Sequence, residues 1–199
     1  MDMKVIKSIQ NSDRDILSSI RTMYLNNKNF DLDPCYSTGK FYDDLERPKI
    51  IMDKIKQVDS VVENDINLGI PIDNNSINGI VFDPPFMFEV RKRENLNLMK
   101  KRFSMFHGGF SELEKMYKKS LSEFYRILKK GGIVAFKCQD FTDSKTTLTH
   151  CYVWKWALEQ GFNVEDLFIM SFKGGRVWNS NLIQRHARKY HSYWFVLKK

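Results

Sequence analysis

Residues 80–86 read Ile-Val-Phe-Asp-Pro-Pro-Phe, and this segment limits the fold of the chain more narrowly than any other. The apolar run has the length and β-branched content of a buried strand, and the prolines end it because they lack an N–H group and fix φ. Asp83 is therefore expected at the carboxyl end of a strand in an open α/β sheet, where such folds bind their ligands.

A carboxylate, a proline carbonyl and an aromatic ring in this order suit a reaction at the exocyclic amine of a base. The lone pair of such an amine is conjugated into the ring, so the nitrogen is a poor nucleophile until hydrogen bonds favour its pyramidal form. Asp83 and the Pro84 carbonyl could accept the two amine protons. Phe86 would hold the base by stacking, worth about 1 to 3 kcal/mol. The alternative is a plain loop, because Asp and Pro are common turn formers.

Residues 83–86 resemble the Asp-Pro-Pro-Tyr/Phe motif of the S-adenosylmethionine-dependent methyltransferases that act on adenine N6 or cytosine N4. The resemblance implies catalytic roles for Asp83, Pro84, Pro85 and Phe86, with S-adenosyl-L-methionine as cofactor. It also implies a Rossmann-like class I methyltransferase fold, in which a mainly parallel seven-stranded sheet carries helices on both faces. The acidic first position is closer to the adenine branch than to the cytosine branch, where serine is usual.

Residues 30–42 are similar to the cofactor loop of this family, in which a strand ends in Asp-Pro and a glycine-containing turn follows. Gly39 would let the backbone approach a ligand closely. By resemblance, Asp33 would meet the methionine ammonium group, and Pro34 and Ser37 would belong to the binding loop. The usual loop has two or more glycines, whereas this one has a single glycine, so a plain turn is the alternative.

Two further apolar runs end in acidic residues. Residues 48–53 read as a second strand closing on Asp53, where Rossmann-like proteins place a carboxylate against ribose hydroxyls. Residues 61–65 read as a third strand ending in Asn64 and Asp65, and the resemblance implies that this acid contacts the adenine amine of the cofactor. A lone acid after a strand is commonly a solvated turn, but three in this order favour a cofactor pocket.

The rest of the pattern completes one α/β domain. We expect a methyltransferase domain over residues 1–199, with an N-terminal helical element at 1–29 and a basic, substrate-side insertion at 87–110. The other expected elements are a helix starting near Ser12, a helix from a Ser111/Glu114 capping box to the glycines at 131–132, a helix at 147–160, and strands at 133–137, 164–171 and 190–197.

The formal net charge of +8 favours a polyanionic partner. Basic residues cluster after the Asp-Pro-Pro-Phe turn and again before the last strand. We expect both clusters to contact nucleic-acid phosphates, with a solvated surface as the alternative. The residues concerned are Arg91, Lys92, Arg93, Lys100, Lys101, Arg102, Arg185, Arg188 and Lys189.

The 199 residues, 42% of them hydrophobic, suffice for one domain with a substantial core. No apolar run approaches the length of a membrane span, and the first residues lack an apolar signal segment. Three cysteines show neither disulfide parity nor metal-ligand spacing, so we expect a cytoplasmic protein without a metal site.

Together these features predict a DNA methyltransferase that modifies an exocyclic base amine, adenine N6 ahead of cytosine N4, after the base has left the duplex. Two alternatives remain open. One is an RNA base methyltransferase with the same motif. The other is a nucleic-acid-binding module with a decayed cofactor site, suggested by the glycine-poor loop around Gly39.

Overall fold

The computed structural model describes residues 5–86, 88–89, 106–107, 109–142, 145–172 and 185–199. The described helices are α1 (Asp13–Tyr24), α2 (Phe110–Ile127) and α3 (Thr149–Gln160), with short 3-10 turns at Lys40–Tyr42 and Ile66–Leu68. The described strands are β1 (Ile9–Gln10), β2 (Leu32–Asp33), β3 (Ile50–Asp53), β4 (Val62–Glu63), β5 (Ile77–Phe82), β6 (Phe88–Glu89), β7 (Phe106–His107), β8 (Leu128–Cys138), β9 (Phe141–Thr142), β10 (Thr146–Thr147), β11 (Asn163–Ser171) and β12 (His191–Lys198).

Eight of these strands form one sheet in the order β1-β11-β12-β8-β5-β2-β3-β4. In this order, the neighbouring strands from β8 through β5, β2 and β3 to β4 are parallel, and so are β1 and β11. Within this sheet, only β12 runs antiparallel to its neighbours. The prediction of a mainly parallel sheet is confirmed. The sheet has eight strands instead of seven because β1, two residues long, adds to one edge without a readable pattern.

Helices cover both faces of the sheet, as predicted. Residues of β8 alternate between two cores: Val134 and Phe136 pack with α2 and α3, whereas Ile133 and Ala135 pack with α1. A fully buried aliphatic or aromatic side chain contributes about 1.5 to 3 kcal/mol relative to exposure. The two cores therefore hold β5 and β8, the central strands, firmly on both sides.

The ends of α2 differ from the sequence prediction. The helix begins at Phe110 after Gly109, which has a φ of 74° and makes no side-chain cap, so the Ser111/Glu114 capping box is wrong. The helix also ends earlier, at Ile127, because the backbone from Leu128 onward pairs with β5. The start of α1 is confirmed, since the Ser12 hydroxyl accepts a hydrogen bond from the Asp15 N–H group.

The strand order positions the candidate site. From β2 the chain adds β3 and β4 toward one edge, and from β5 it adds β8 toward the other, so the order reverses between β2 and β5. In open α/β sheets, ligands bind beyond the carboxyl ends of the strands at such a reversal. Within the described residues, no helix combines the length and apolar character needed to cross a membrane.

Candidate cofactor and acceptor site

Four predicted acidic residues meet at the carboxyl edge of the sheet. Asp33 and Asp53 are the last residues of β2 and β3, and the other two follow β4 and β5. The Cys35 thiol is close enough to feel the charge of all four. Burial raises its pKa well above the usual value, and the carboxylates of Asp33, Asp53, Asp83 and Asp65 raise it further. The structure therefore brings the four acids together, although they are spread over 51 positions of sequence.

Asp33 organises the loop that follows it. Its carboxylate is fully buried and accepts hydrogen bonds from the Tyr42 hydroxyl at 2.7 Å and the Cys35 N–H group at 2.9 Å. Burial raises its pKa to about 7, against the effect of these two hydrogen bonds. In this conformation Asp33 holds the loop and exposes no oxygen to a ligand, so contact with an ammonium group would require Tyr42 to move.

The raised pKa of Asp33 predicts that the free energy of unfolding falls as the pH rises from about 4 to about 7. Between the unfolded value of 3.8 and the folded value of about 7, the folded state binds more protons than the unfolded chain. The loss attributable to Asp33 has an upper limit of about 4 kcal/mol, at about 1.4 kcal/mol per pKa unit. Denaturant unfolding of wild type and Asp33→Asn over this range measures it. Parallel pH profiles for the two proteins would contradict the assignment.

Asp53 ties the candidate cofactor loop to the second strand. Its Oδ2 accepts a hydrogen bond from the Ser37 N–H group at 2.7 Å, and its Oδ1 accepts one from the Ile55 N–H group at 3.1 Å. The first bond stabilises Ser37 at a φ of 52°, which side-chain-bearing residues rarely adopt. The carboxylate is half-buried, and each of its oxygens keeps a lone pair for a further donor.

Asn64 and Asp65 form the outer wall of this half of the edge. The Asn64 side chain donates to the Gly69 carbonyl at 3.1 Å. Asp65 accepts from the Asn67 N–H group and pairs with Lys54 at 2.8 Å. Although burial opposes ionisation, the Lys54 and Asn67 hydrogen bonds lower the pKa of Asp65, so the residue is charged at neutral pH.

Gly39 is required by the shape of the loop. Its φ is 65°, in the left-handed region, and a Cβ atom built on it would overlap the ring of Tyr36. That ring is buried and stacks on Tyr42 at 5.9 Å between centroids, so it cannot easily move away. The single glycine of the loop therefore lies where the Tyr36 ring leaves no room for a side chain.

Asp83 lies immediately after β5 and is held by a buried cation. Its Oδ2 is 3.1 Å from the Lys137 ammonium, which is also 2.9 Å from Asp13 Oδ2 at the start of α1. The other oxygen of Asp13 accepts a hydrogen bond from the Trp194 indole at 2.8 Å. Burial raises the pKa of Asp83, and the Lys137 charge opposes that rise.

A cavity opens on the other side of Asp83 from the acidic edge. Its volume is about 300 Å³, and it is lined by Phe86, Lys137, Gln139, Met170, Phe172, Tyr190, His191 and Ser192. Phe86 follows β5, and the other lining residues come from the end of β8, the end of β11 and the start of β12, or lie next to them. Pro84 is buried, and Pro85 and Phe86 are half-buried.

The predicted phosphate contacts divide into two groups. Arg91, Lys92, Arg93, Lys100, Lys101 and Arg102, with most of the 87–110 insertion, lie outside the described residues. Of the second group, Arg185 is exposed and Arg188 and Lys189 are half-buried. This second group directly precedes Tyr190 and His191 in the cavity wall.

Sequence reasoning missed Lys137, Asp13 and Tyr42. Lys137 carried a usable signal, because a charged residue inside the apolar run of a central strand must have a buried partner. Asp13 and Tyr42 carried none, since their partners are 124 and 9 positions away along the chain.

The chain matches no protein-family model and no curated protein, but it resembles solved structures. An S-adenosylmethionine-dependent methyltransferase from Leishmania major is 12% identical, with a TM-score of 0.53 over 94% of this chain and 72% of that protein. A protein assigned as a methyltransferase from Bacillus halodurans C-125 is 14% identical, with a TM-score of 0.51 over 94% and 99%.

A third solved structure is a protein assigned as a DNA modification methylase from Thermus thermophilus, 14% identical with a TM-score of 0.47. That match covers 68% of this chain and 52% of the other protein, so the chain spans about half of its length. The strand order and the two fuller matches define the class: the protein has the α/β fold of class I S-adenosylmethionine-dependent methyltransferases. Likeness at this identity establishes the fold and leaves activity, substrate and partner to be tested.

Proposed function

We propose that this protein transfers a methyl group from S-adenosyl-L-methionine to an exocyclic amine of a DNA base, adenine N6 ahead of cytosine N4. The observation that carries the proposal is the position of Asp83. It follows the central strand β5, with the cluster of acids on one side and the cavity at Phe86 on the other. A carboxylate between two such sites can act on a group that enters from one of them.

The acidic half of the edge has the chemistry to hold the cofactor. Asp53 would accept hydrogen bonds from the ribose hydroxyls, because its half-buried oxygens each keep a lone pair. Asn64 and Asp65 would line the adenine, and the loop of Asp33, Pro34, Ser37 and Gly39 would face the methionine portion. When bound, S-adenosyl-L-methionine would supply an electrophilic methyl group.

The cavity at Phe86 suits a flat base. Its volume of about 300 Å³ lies at the lower end of the range for small-molecule pockets, about 300 to 1,000 Å³. Phe86 and Tyr190 supply aromatic surface, and Gln139 supplies an amide that donates to the His191 carbonyl at 2.9 Å. A base inside duplex DNA must leave the stack to reach such a pocket.

Asp83 and Pro84 would activate the amine by accepting its two protons in hydrogen bonds. The amine nitrogen would take the methyl group, the electron pair of the broken carbon–sulfur bond would stay on sulfur, and the nitrogen would lose one proton to Asp83 or to water. Burial raises the pKa of Asp83, which makes its carboxylate a better proton acceptor.

The positive charge of the chain supports a nucleic-acid substrate. Arg185, Arg188 and Lys189 lead into the cavity wall, where they would contact phosphates next to the flipped base. The basic residues at 91–93 and 100–102, directly after Phe86 in the sequence, would extend the same track.

Asp53→Ala is expected to weaken S-adenosyl-L-methionine binding by about 1 to 3 kcal/mol, the sum of two ribose hydrogen bonds at about 0.5 to 1.5 kcal/mol each. The dissociation constant from calorimetry should rise about 5-fold to 150-fold. Asp166→Ala is the matched control, because Asp166 accepts from Tyr24 at 3.0 Å on the distant strand β11. Equal affinity in wild type and Asp53→Ala would remove Asp53 from the ribose site.

The function itself is tested by incubating the protein with methyl-labelled S-adenosyl-L-methionine and either duplex DNA or structured RNA. Digestion to nucleosides and mass spectrometry then identify the modified base. N6-methyladenine in DNA is the expected product, and N4-methylcytosine in DNA would reassign the base. Label in RNA alone would favour the RNA enzyme, and the absence of saturable cofactor binding would favour the binding module.

A further inference from the structure

Lys137 is a buried cation on β8, one of the central strands of the sheet. It lies near the end of β8 and is 6% exposed, with its stem among the residues that pack against α1. Its ammonium contacts Asp83 and Asp13, and it also lies 5.2 Å from the centre of the Trp194 ring. Even a paired buried charge carries a desolvation cost that can exceed the attraction of its partners, so this arrangement calls for an explanation beyond stability.

The two oxygens of the Asp83 carboxylate differ in their hydrogen-bond partners. Lys137 donates a hydrogen bond to Oδ2 of Asp83, and within the described parts of the chain no residue donates a hydrogen bond to Oδ1. Asp13 in turn is fixed by the Trp194 indole and by its place in the first turn of α1, where the helix dipole favours a carboxylate. The chain Trp194–Asp13–Lys137 therefore ends at one oxygen of Asp83 and leaves the other oxygen for a further donor.

We propose that Lys137 is the positioning residue of the transfer reaction: it anchors Asp83 through Oδ2, directs Oδ1 toward the acceptor amine, and is itself oriented by Asp13 and Trp194. This inference deepens the proposed function and rests on it. Lys137 also lines the cavity at Phe86, so the anchor lies at the boundary between Asp83 and the acceptor pocket. A fixed carboxylate accelerates a reaction because no reorganisation is needed when charge develops.

The charge of Lys137 also favours the ionised form of Asp83. Burial favours the protonated carboxyl, and the ammonium is the neighbour that opposes it. Asp13 also acts on this carboxylate and raises its pKa, and the Asp83 carboxylate in turn raises the pKa of Asp33. Three further groups feel the charge of Asp83 but stay neutral, because burial raises their pKa values: Cys35, Tyr42 and Tyr117.

The test compares Lys137→Met, which removes the charge but keeps the stem, with Lys137→Arg, which keeps the charge. Glu123→Gln is the control for a structural ion pair, because Glu123 is 8% exposed and is held by Arg126 and Lys119 on α2. For each variant we would measure stability, cofactor affinity, the pH profile of kcat, and the titration of Asp83 by NMR of carbon-13-labelled aspartate. The Asp83→Asn variant assigns the Asp83 signal.

Lys137→Met is expected to lower kcat at pH 7 at least about 10-fold and to move the acidic limb of the profile up by about one pH unit or more. Its Asp83 titration should move in the same direction, while cofactor affinity stays within about 2-fold of wild type. Lys137→Arg should recover the wild-type titration and pH profile. Glu123→Gln should be destabilised without moving either.

A wild-type pH profile and Asp83 titration in Lys137→Met would overturn the inference and leave Lys137 a structural ion pair. The NMR measurement needs no turnover, so it separates the two ideas. A shifted Asp83 titration in a protein that methylates no nucleic acid would contradict the proposed function but support the role of Lys137 in holding Asp83. Methylation of nucleic acid with an unshifted Asp83 titration in Lys137→Met would support the proposed function and contradict the role of Lys137.

Discussion

Asp83→Ala is expected to lower methyl transfer at least about 10²-fold and to leave S-adenosyl-L-methionine affinity within about 2-fold of wild type. Removing one preorganised hydrogen-bonding group from a reacting centre costs about 10²-fold to 10³-fold in rate, and a lost proton acceptor costs a similar amount. Affinity is spared because Asp53, Asn64 and Asp65, on the far side of β2, would carry the cofactor contacts. Single-turnover transfer and calorimetry on one preparation measure both quantities.

This substitution also leaves the Lys137 ammonium with Asp13 as its remaining carboxylate partner, so a loss of folding must be separated from a loss of chemistry. The double variant Asp83→Ala, Lys137→Met removes both charges together. If the missing carboxylate causes the loss, the double variant stays as inactive as the single variant even where its stability recovers. Turnover within a few-fold of wild type in a folded Asp83→Ala protein would exclude Asp83 from catalysis.

The second large effect is expected at Gly39. Replacing it with alanine should lower the free energy of unfolding by about 2 to 5 kcal/mol, from about 1 to 2 kcal/mol for a side chain at left-handed φ and about 1 to 3 kcal/mol for overpacking against Tyr36. Because the same loop would face the cofactor, affinity for S-adenosyl-L-methionine should fall as well. Denaturant unfolding and calorimetry measure the two effects.

Gly131→Ala is the matched control. Gly131 has a φ of 82°, but a Cβ atom there would meet nothing within 4 Å. Its substitution therefore lowers the free energy of unfolding through the backbone conformation alone. The difference between the two variants isolates the contact with Tyr36. If Gly39→Ala were no less stable than Gly131→Ala, the Tyr36 ring would be free to move and the loop would be more open than its packing indicates.

The sheet edge divides into two halves with different chemistry. On the β2, β3 and β4 side, backbone N–H groups and Lys54 hold the carboxylates in place, and these carboxylates are acceptors that suit the hydroxyls and amines of a ligand. On the β8, β11 and β12 side, the cavity combines aromatic rings with an amide and a histidine. Asp83 follows the central strand β5 between them, which is the arrangement that the proposed group transfer requires.

Much of the fold was readable from the sequence. Apolar runs that end in Asp33, Asp53, Asp65 and Asp83 predicted where four parallel strands lie along the chain, because a buried strand needs a continuous apolar run and a polar stop. Helix boundaries were less readable. The end of α2 was placed at the glycines of residues 131–132, but strand pairing with β5 extends β8 back to Leu128 and overrides the local helix-stop signal.

What the sequence determined by itself was therefore local: which segments are buried strands, and which polar residues follow them. The tertiary structure alone decided how those residues are used, because a carboxylate's role depends on the partners that burial brings to it. Asp33 was predicted to meet the ammonium group of a ligand, yet Tyr42 covers it. Asp83 was predicted to bind the acceptor amine together with the Pro84 carbonyl, and its contact with Lys137 was not predicted. The anchor of Asp83 joins residues from α1, β8 and β12, and no local pattern in the chain can specify a contact between elements so far apart in sequence.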